Sequence, residues 1–225
     1  MDISRRELAT LLALAGVEAD AQTESSLYIP KAQNVEDRAL IHDLMDEFSF
    51  ADLVTAGPGV RITHVPTWLD RGAGKFGTIH GHVSRQNPQH KLFDGKQTAV
   101  MAFRGPHAYI SPTWYAKMST VPTWNFAVVH ATGKLRAVTE KKELKALLAK
   151  LIGKFESSGY EFSKVPDSVI DGMMSGIVGF EMEIELLEGK FKLGQERSEA
   201  DRASLLGHLK TAKQDRSIHA FTEAF

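Results

Sequence analysis

The stretch from residue 177 to residue 189, IVGFEMEIELLEG, indicates most clearly what kind of fold this chain adopts. Its apolar residues would share one face of an extended chain: Val178, Phe180, Met182, Ile184 and Leu186. The residues between them would place three carboxylates on the opposite face: Glu181, Glu183 and Glu185. Such alternation is typical of a β-strand that packs one face on the core and turns the other toward water. The stretch therefore predicts a half-buried strand of an antiparallel sheet.

Other segments of the chain predict further strands and helices. Two strands, 50–56 and 60–70, meet across Gly57-Pro58-Gly59, a sequence that is typical of a hairpin turn. Further strands are predicted at 78–84, 97–103 and 121–138, the last of them bent or folded into a hairpin. Helices are predicted at 35–48 with Asn34 as N-cap, at 140–156, at 166–175 and from Ser198 to about residue 213. Antiparallel strands with peripheral helices predict an α+β fold that is centred on a β-barrel.

The composition limits the functions that the chain can have. Its 225 residues, 43% of them hydrophobic, suffice for one domain, or for one domain with a small appendage. The formal net charge of -1 and the absence of a basic run make direct DNA binding doubtful. There is no cysteine, which excludes disulfides, thiolate nucleophiles and thiolate metal ligands. No apolar run reaches the roughly 20 residues that a membrane span requires.

The first 21 residues, MDISRRELATLLALAGVEADA, fit two interpretations. In the first they are a twin-arginine signal peptide, because SRR at 4–6 precedes an apolar run and ADA at 19–21 has the form of a cleavage site. In the second, Ser4 and Glu7 form the capping box of a helix that ends at Gly16. A signal peptide would place the folded protein in the periplasm, and a helix would leave it in the cytoplasm.

The stretch 79–91, IHGHVSRQNPQHK, contains the first group of candidate binding residues. His82 and Ser84 would share one face of a strand, and Asn87, followed by proline, is typical of the start of a helix. Ser84 and Arg85 would then lie beside the free N–H groups of a helix N-terminus. This combination of groups suits a phosphate. An ordinary strand end with a routine cap fits the same residues.

Two further groups of residues suit a cofactor. One is an aromatic group with an amide: Tyr109, Trp114, Tyr115, Trp124 and Asn125. Such residues suit a flat heteroaromatic ligand such as a flavin, and they suit a core or a dimer interface equally well. The other group, Lys190, Lys192 and Arg197, would form an anion site, a dimer contact or an ordinary solvated charged face.

Several common functional motifs do not occur in the sequence. There is no P-loop, no Gly-x-Gly-x-x-Gly, no spacing that places a catalytic triad together and no basic recognition helix. His80 and His82 have a spacing that metal ligands can have, but no third ligand lies near them, and no metal site is predicted. The catalytic residues stay unknown, with His82 and His107 as the candidates for a proton donor.

Five blocks of the sequence resemble the signature blocks of the PaiB family, which is described as FMN-binding negative transcriptional regulators: HGHVSRQNP, FRGPHAYISPTWY, VPTWNFAVVHATG, GIVGFEMEI and LEGKFKLGQERSEADR. The resemblance extends from Leu27 to Leu209, and ISPTWY and GKFKL are its most specific parts. It implies an FMN-binding split β-barrel, similar to pyridoxamine 5′-phosphate oxidase and flavin reductases, and a homodimer with FMN at the subunit interface. Residues 22–225 would then form a single split-barrel domain with a C-terminal helical extension.

The resemblance also implies a set of cofactor-binding residues. The phosphate would be held by residues on adjacent strands and in the following turn: Arg61, Thr63, His64, His82, Ser84, Arg85 and Asn87. The cofactor would be flanked by residues of the later blocks: Trp124, Asn125, Lys190, Lys192, Gln195 and Arg197. The sequence departs from the family at KLGQERS, where the family has a sequence nearer KLSQNRS. The carboxylate of Glu196 would disfavour a phosphate placed beside it.

Three functions are compatible with these observations. The first is a flavin-dependent oxidoreductase, in which the redox chemistry belongs to FMN. The second is a transcriptional regulator, as the description of the family says, and export would exclude it. The third is a non-enzymatic protein that binds a flavin or haem. The sequence identifies neither a small-molecule substrate nor an electron donor.

Overall fold

A computed structural model describes residues 24–116 and 121–211 and the single positions 218, 222 and 223. Residues 1–21, for which a signal peptide and a capped helix are the two interpretations, lie outside this description. Between residues 24 and 211, the described chain forms one antiparallel sheet with four α-helices beside it. None of the described helices is long and apolar enough to cross a membrane.

The sheet is built around three long neighbouring strands. Its strands in the described ranges are β1 (Asn34–Val35), β2 (Phe50–Ala56), β3 (Val60–Pro66), β4 (Trp68–Asp70), β5 (Thr78–Ser84), β6 (Asp94–Ile110), β7 (Thr123–Val138) and β8 (Ile177–Lys192). Hydrogen bonds place them in the order β3-β2-β6-β7-β8-β5-β4, with β1 attached to β8. The segment 121–138, predicted as a bent strand or a hairpin, therefore contains one long strand, β7, which pairs with β6 and β8 along most of its length.

The four helices lie where they were predicted, but the first begins at Arg38 rather than at residue 35, and the predicted end of the last one near residue 213 lies outside the described residues. They are α1 (Arg38–Glu47), α2 (Lys141–Phe155), α3 (Asp167–Ser175) and α4 (Glu199–Thr211). The carboxylate of Asp37, not the side chain of Asn34, caps α1 by accepting from the N–H groups of Ala39 and Leu40 at 2.9 and 3.3 Å. Both residue types are good N-caps. The prediction of Asn34 was wrong because this residue is held in β1, opposite Lys190.

The predicted strand 60–70 is divided at Thr67. The backbone N–H and the hydroxyl of Thr67 both donate to the carbonyl oxygen of Ser49 at 2.9 Å. This contact ends the pairing of β3 with β2, and the chain continues as β4, which pairs with β5. One stretch of sequence therefore provides the strands at both ends of the sheet, β3 and β4.

The strand β8 has the alternation that its sequence predicts, up to a bulge. Val178, Phe180, Met182 and Ile184 are all buried, and the glutamates between them are exposed or half-buried. Two successive residues of β7, Thr132 and Gly133, lie opposite Leu186 and Ile184 of β8, so that Glu185 has no partner position on β7. The extra residue on β8 shifts the alternation by one. Leu186, predicted on the buried face, is consequently only half-buried.

The sheet curls around one large core on its inner face, where Phe103, Phe180 and Phe191 are almost completely buried. A smaller apolar cluster lies between α2, α3 and the outer face of the sheet. The curl brings β3 close to β5. A Cβ added at Gly81 would lie 3.2 Å from the carbonyl oxygen of Pro66. The predicted α+β fold, a split β-barrel with peripheral helices, is confirmed.

Candidate functional site

The predicted cofactor-binding residues lie in two separate groups. The β5 group belongs to β3, β5 and the turn after β5: Arg61, Thr63, His64, His82, Ser84, Arg85 and Asn87. The β8 group belongs to β7, β8 and the turn after β8: Trp124, Asn125, Lys190, Lys192, Gln195 and Arg197. Ser84 pairs with Ile177, the first residue of β8, whereas Lys192 is its last. Because 16 residues of β-strand extend roughly 50 Å when straight, the two groups form separate sites within one subunit.

In the β5 group, Arg85 binds the protein backbone. Its Nε donates to the carbonyl oxygen of Ser175 at 2.7 Å, and its Nη2 donates to that of Ile177 at 2.7 Å. Ser175 is the last residue of α3 and Ile177 the first of β8, so the guanidinium satisfies carbonyls at the junction of these two elements. The hydroxyl of Ser84 accepts from the N–H of Gln86 at 3.2 Å. A phosphate at this position would compete with contacts that are already made.

Thr63 and Asn87 belong to a hydrogen-bond network within the protein. Asn87 caps the 3₁₀-helix Pro88–Leu92 by accepting from the N–H of Gln89 at 3.0 Å, and its amide donates to the hydroxyl of Thr63 at 2.8 Å. That hydroxyl in turn donates to the side-chain oxygen of Gln89, which is fully buried. The helix after β5 has five residues, so it offers few free N–H groups to an anion.

Thr63 and His64 are neighbours on β3, so their side chains point to opposite faces of the sheet. Thr63 lies opposite Leu53, whose side chain is in the core. His64 lies on the outer face, where its Nδ1 contacts the carboxylate of Asp52. Arg61 points to the same side as Thr63, but at the exposed end of β3. One bound ligand therefore does not contact Arg61, Thr63 and His64 together.

His82 has a buried nitrogen without a partner. It lies opposite Gly179, at a point where Leu144 of α2 covers the outer face of the sheet. Burial lowers the pKa of its imidazole, so the ring is neutral at pH 7. Its Nδ1 is buried and has no hydrogen-bond partner among the described residues. Such a nitrogen is a group that a ligand or an ordered water can satisfy.

A cavity of about 150 Å³ lies at the other end of β8 and collects residues from three parts of the chain. We call it the basic cavity, and it is lined by Tyr115, Val121, Pro122, Thr123, Asn125, Lys192, Gly194, Glu196 and Arg197. Three residues of the β8 group, Asn125, Lys192 and Arg197, are thus brought together.

The basic cavity contains hydrogen-bond donors that the described protein does not use. Asn125 is 1% exposed, and its side-chain nitrogen has no partner among the described residues. The ammonium of Lys192 donates to the hydroxyl of Thr123 at 2.6 Å and has two further N–H bonds. A buried donor without an acceptor costs about 1–3 kcal/mol. A ligand with hydrogen-bond acceptors would therefore remove the free-energy cost of leaving the Asn125 donor unpaired.

The turn after β8 places Arg197 in the cavity. Gly194 has a φ of 77°, a conformation that favours glycine, and its carbonyl oxygen accepts from the N–H of Arg197 at 2.9 Å. The guanidinium of Arg197 lies 5.0 Å from the centre of the Tyr115 ring. Burial raises the pKa of Tyr115, so its hydroxyl stays protonated at neutral pH. Gly194, a departure from the family sequence, thus has a structural reason.

The other residues of the β8 group flank the basic cavity. The ammonium of Lys190 donates to the carbonyl oxygen of Tyr28 at 2.8 Å, and the amide of Gln195 donates to that of Ala32 at 2.9 Å. These contacts hold the segment before α1 against β8. Trp124 is 51% exposed and lies edge-on to Tyr109 on the outer face, with ring centres 6.1 Å apart.

The predicted aromatic group does not form one cluster. Tyr109 and Trp124 pair on the outer face, whereas Tyr115 and Asn125 line the basic cavity. Trp114 instead stacks on His208 of α4, with ring centres 5.5 Å apart and an angle of 10°. The sequence places these residues close along the chain, but alternation along the strands separates their side chains.

Glu188 is a buried carboxylate whose role the sequence did not reveal. It is 9% exposed and accepts from the hydroxyl of Ser25 and from the N–H of Ser26, the latter at 3.1 Å. The hydroxyl of Ser26 also lies 3.0 Å from Nδ1 of His130. These partners lie 162 and 163 residues away from Glu188 in the chain. A glutamate at the end of an alternating strand therefore carried no local signal of its role.

Sequence comparisons assign this chain to a known family. A family model described as "Putative FMN-binding domain" matches residues 27–186. "Protease synthase and sporulation protein PAI 2" of Bacillus subtilis is 34% identical over 187 residues, which are 81% of this chain and 89% of that protein. "Uncharacterized protein AN0679" of Emericella nidulans is 30% identical over 187 residues, 66% of this chain and 74% of that protein.

Solved structures share the fold at much lower identity. The flavocytochrome Anf3 from Azotobacter vinelandii has a TM-score of 0.60 and 16% identity, and the match covers 80% of each chain. The conserved hypothetical protein Rv2991 from Mycobacterium tuberculosis has a TM-score of 0.56 and 15% identity, over 76% of this chain and 96% of that one. The family match and the similarity to the Bacillus protein confirm the resemblance seen in the sequence, and the chain belongs to the family of FMN-binding domains.

Proposed function

We propose that this protein is a homodimeric flavoprotein that holds FMN between its two subunits, with the FMN phosphate in the basic cavity. The observation that carries the proposal is the set of unused donors in that cavity. A phosphate monoester has a charge of about -1.5 to -2 at neutral pH and three strong acceptor oxygens. Bound FMN supplies hydride and one-electron chemistry.

The residues of the basic cavity fit a phosphate group. The side-chain nitrogen of Asn125 is buried and without a partner among the described residues, so a phosphate oxygen would satisfy it. Lys192 and Arg197 supply two positive charges, and hydrogen bonds between ionised partners are about twice as strong as neutral ones. The hydroxyl of Tyr115, which is protonated at neutral pH, is a further neutral group of the cavity wall.

Exposed apolar residues on the outer face support the homodimer. Phe50 is 69% exposed, Val60 72% and Ile62 59%, and all three lie on the outer face of the β2–β3 hairpin. Tyr109 and Trp124 are exposed on the same face of the neighbouring strands. Clustered apolar side chains on one surface are typical of protein–protein contacts. A second subunit on this face would also bring additional groups to a cofactor.

Export by the twin-arginine route is part of the proposal. It is supported by the SRR motif, the short apolar run and the ADA sequence within residues 1–21. The contacts of Ser25 and Ser26 with Glu188 begin soon after residue 21, so a mature chain starting at Gln22 would retain them.

Native mass spectrometry of the protein, expressed in a host with twin-arginine export, tests these proposals together. We expect a dimer whose chains begin at Gln22 and which carries one FMN per subunit. Chains that begin at Met1 would refute export and leave a cytoplasmic regulatory role open. A monomer that retains FMN would refute the intersubunit site. A bound mass equal to that of haem in place of FMN would refute FMN in favour of haem.

Glu196 provides a test of the placement of the phosphate. Its carboxylate lines the basic cavity, so it would repel a phosphate, although its exposure to solvent screens that effect. We expect Glu196→Gln to lower the dissociation constant for FMN about 2- to 5-fold, a free-energy change of up to about 1 kcal/mol. Fluorescence titration of FMN at low and high salt measures the effect. Glu185→Gln, on the exposed face of β8, is the matched control. Equal affinities of wild type and Glu196→Gln at low salt would contradict this placement.

A further inference from the structure

A second recess lies between α2 and the outer face of the sheet, away from the basic cavity. It is a groove of about 300 Å³, lined by Trp68, His80, Arg136, Val138, Glu143, Ala146, Leu147, Lys150 and Glu181. We call it the α2 groove. It shares no residue with the basic cavity. Its volume is at the lower end of the range found for sites of small ligands.

The floor of the α2 groove is one row of residues across four strands. Trp68 of β4 lies opposite His80 of β5, His80 lies opposite Glu181 of β8, and Glu181 lies opposite Arg136 of β7. The rings of Trp68 and His80 are stacked, with centres 4.7 Å apart and an angle of 28°. The floor therefore has a flat aromatic half and an ionic half, the latter held by an Arg136–Glu181 contact of 2.7 Å.

The wall of the α2 groove is one face of a helix. Glu143, Ala146, Leu147 and Lys150 are spaced at three, four and seven residues, so they lie on the same side of α2. Seven residues of α-helix rise about 10 Å, which separates the carboxylate of Glu143 from the ammonium of Lys150. Leu147 and Ala146 provide an apolar surface between these two charges.

One end of the α2 groove carries the ammonium of Lys150, and the other carries two carboxylates and the guanidinium of Arg136, which leaves a net charge of -1 there. The ammonium of Lys150 lies 5.6 Å from the centre of the Trp68 ring and has no carboxylate within 4 Å in the described part of the chain. Glu143 and Glu181 both raise the pKa of Arg136, mainly through the hydrogen bond that Arg136 donates to Glu181. Burial lowers the pKa of His80, so the ring between these ends is neutral at pH 7.

We propose that the α2 groove binds a small aromatic carboxylate that carries a hydrogen-bond donor at the opposite end of its ring. The ring would lie against the Trp68–His80 stack and the side chain of Leu147. Its carboxylate would lie beside Lys150, and its donor would reach the carboxylates of Glu143 and Glu181. The class is represented by 4-aminobenzoate, whose polar groups stand at opposite ends of one ring. This site is independent of the proposed FMN site.

Titration of the full chain with 4-aminobenzoate, in the presence of FMN, tests the proposal. Calorimetry gives the affinity, and the indole N–H signal of Trp68 in NMR, assigned with Trp68→Phe, reports the place of binding. We expect a dissociation constant of about 0.1–1 mM, as is usual for a ligand of this size. We expect Lys150→Met to weaken binding about 3- to 5-fold, because Lys150 is exposed and solvent screens its attraction for the carboxylate. The neutral analogue 4-aminobenzamide should bind about 3- to 5-fold more weakly than the acid, and equally to wild type and Lys150→Met.

Two further variants separate binding in the groove from general effects. Lys142→Met changes a lysine of the same helix that does not line the groove, and it should bind 4-aminobenzoate as wild type does. Glu143→Gln should weaken binding of 4-aminobenzoate several-fold without changing the binding of benzoate, which lacks the amine. The proposal is overturned if the Trp68 signal does not move at ten times the expected dissociation constant. It is equally overturned if Lys150→Met and Lys142→Met bind 4-aminobenzoate alike.

Discussion

Replacing Lys192 and Arg197 together by methionine is expected to raise the dissociation constant for FMN at least about 100-fold. Both side chains line the basic cavity, beside the unused donor of Asn125. A hydrogen bond to a charged group contributes about 1.5–3 kcal/mol, and two of them are lost in this variant. The salt dependence of FMN binding should also become weaker, because two charges no longer attract the phosphate. Quenching of FMN fluorescence, titrated at low and high salt, measures both effects.

The matched control for this prediction is Arg85→Met. The guanidinium of Arg85 donates to the carbonyl oxygens of Ser175 and Ile177, so its removal leaves backbone acceptors without a partner. We expect this variant to lose about 1–3 kcal/mol of stability while its FMN affinity changes less than about 3-fold. The opposite pattern, with FMN binding lost in Arg85→Met and kept in the double variant, would move the phosphate to the β5 group.

Gly133→Ala is expected to destabilise the protein by about 3 kcal/mol or more, the largest effect that we predict for a single residue. A Cβ at Gly133 would lie 2.1 Å from the carbonyl oxygen of Glu183, a backbone atom that cannot turn away. This contact lies at the bulge between β7 and β8, so relief would require the two central strands to separate. Thermal unfolding, with FMN at a fixed concentration, should show a midpoint roughly 6–12 °C lower.

Gly153→Ala is the control for this variant. Gly153 lies near the end of α2, and a Cβ there would meet nothing within 4 Å. In an exposed helix, alanine is about 0.5–1 kcal/mol more favourable than glycine, so this variant should be slightly more stable than wild type. If both variants unfolded at the wild-type temperature, the close approach of β7 to β8 at Gly133 would be refuted.

Much of the architecture follows from local patterns in the sequence. The alternation in residues 177–185 predicts β8, and the apolar spacing at 140–156 predicts α2, because each period matches the geometry of its element. Local patterns predict the basic cavity less well than they predict the strands and helices. Asn125, Lys192 and Arg197 were predicted by resemblance to the family, and their convergence on one cavity depends on how β7 and β8 pair.

What the sequence by itself determined is the set of elements, the α+β class and the family, since each depends on residue types at short spacing. The tertiary structure alone decided the partners of those residues. It assigns Arg85 to backbone carbonyls, turns Thr63 rather than His64 toward the core side of the sheet and buries Glu188 beside Ser25 and Ser26. The bulge opposite Gly133 likewise has no local signature. The physical reason is that strand pairing and register are set by contacts between residues far apart in the chain, which a local pattern does not encode.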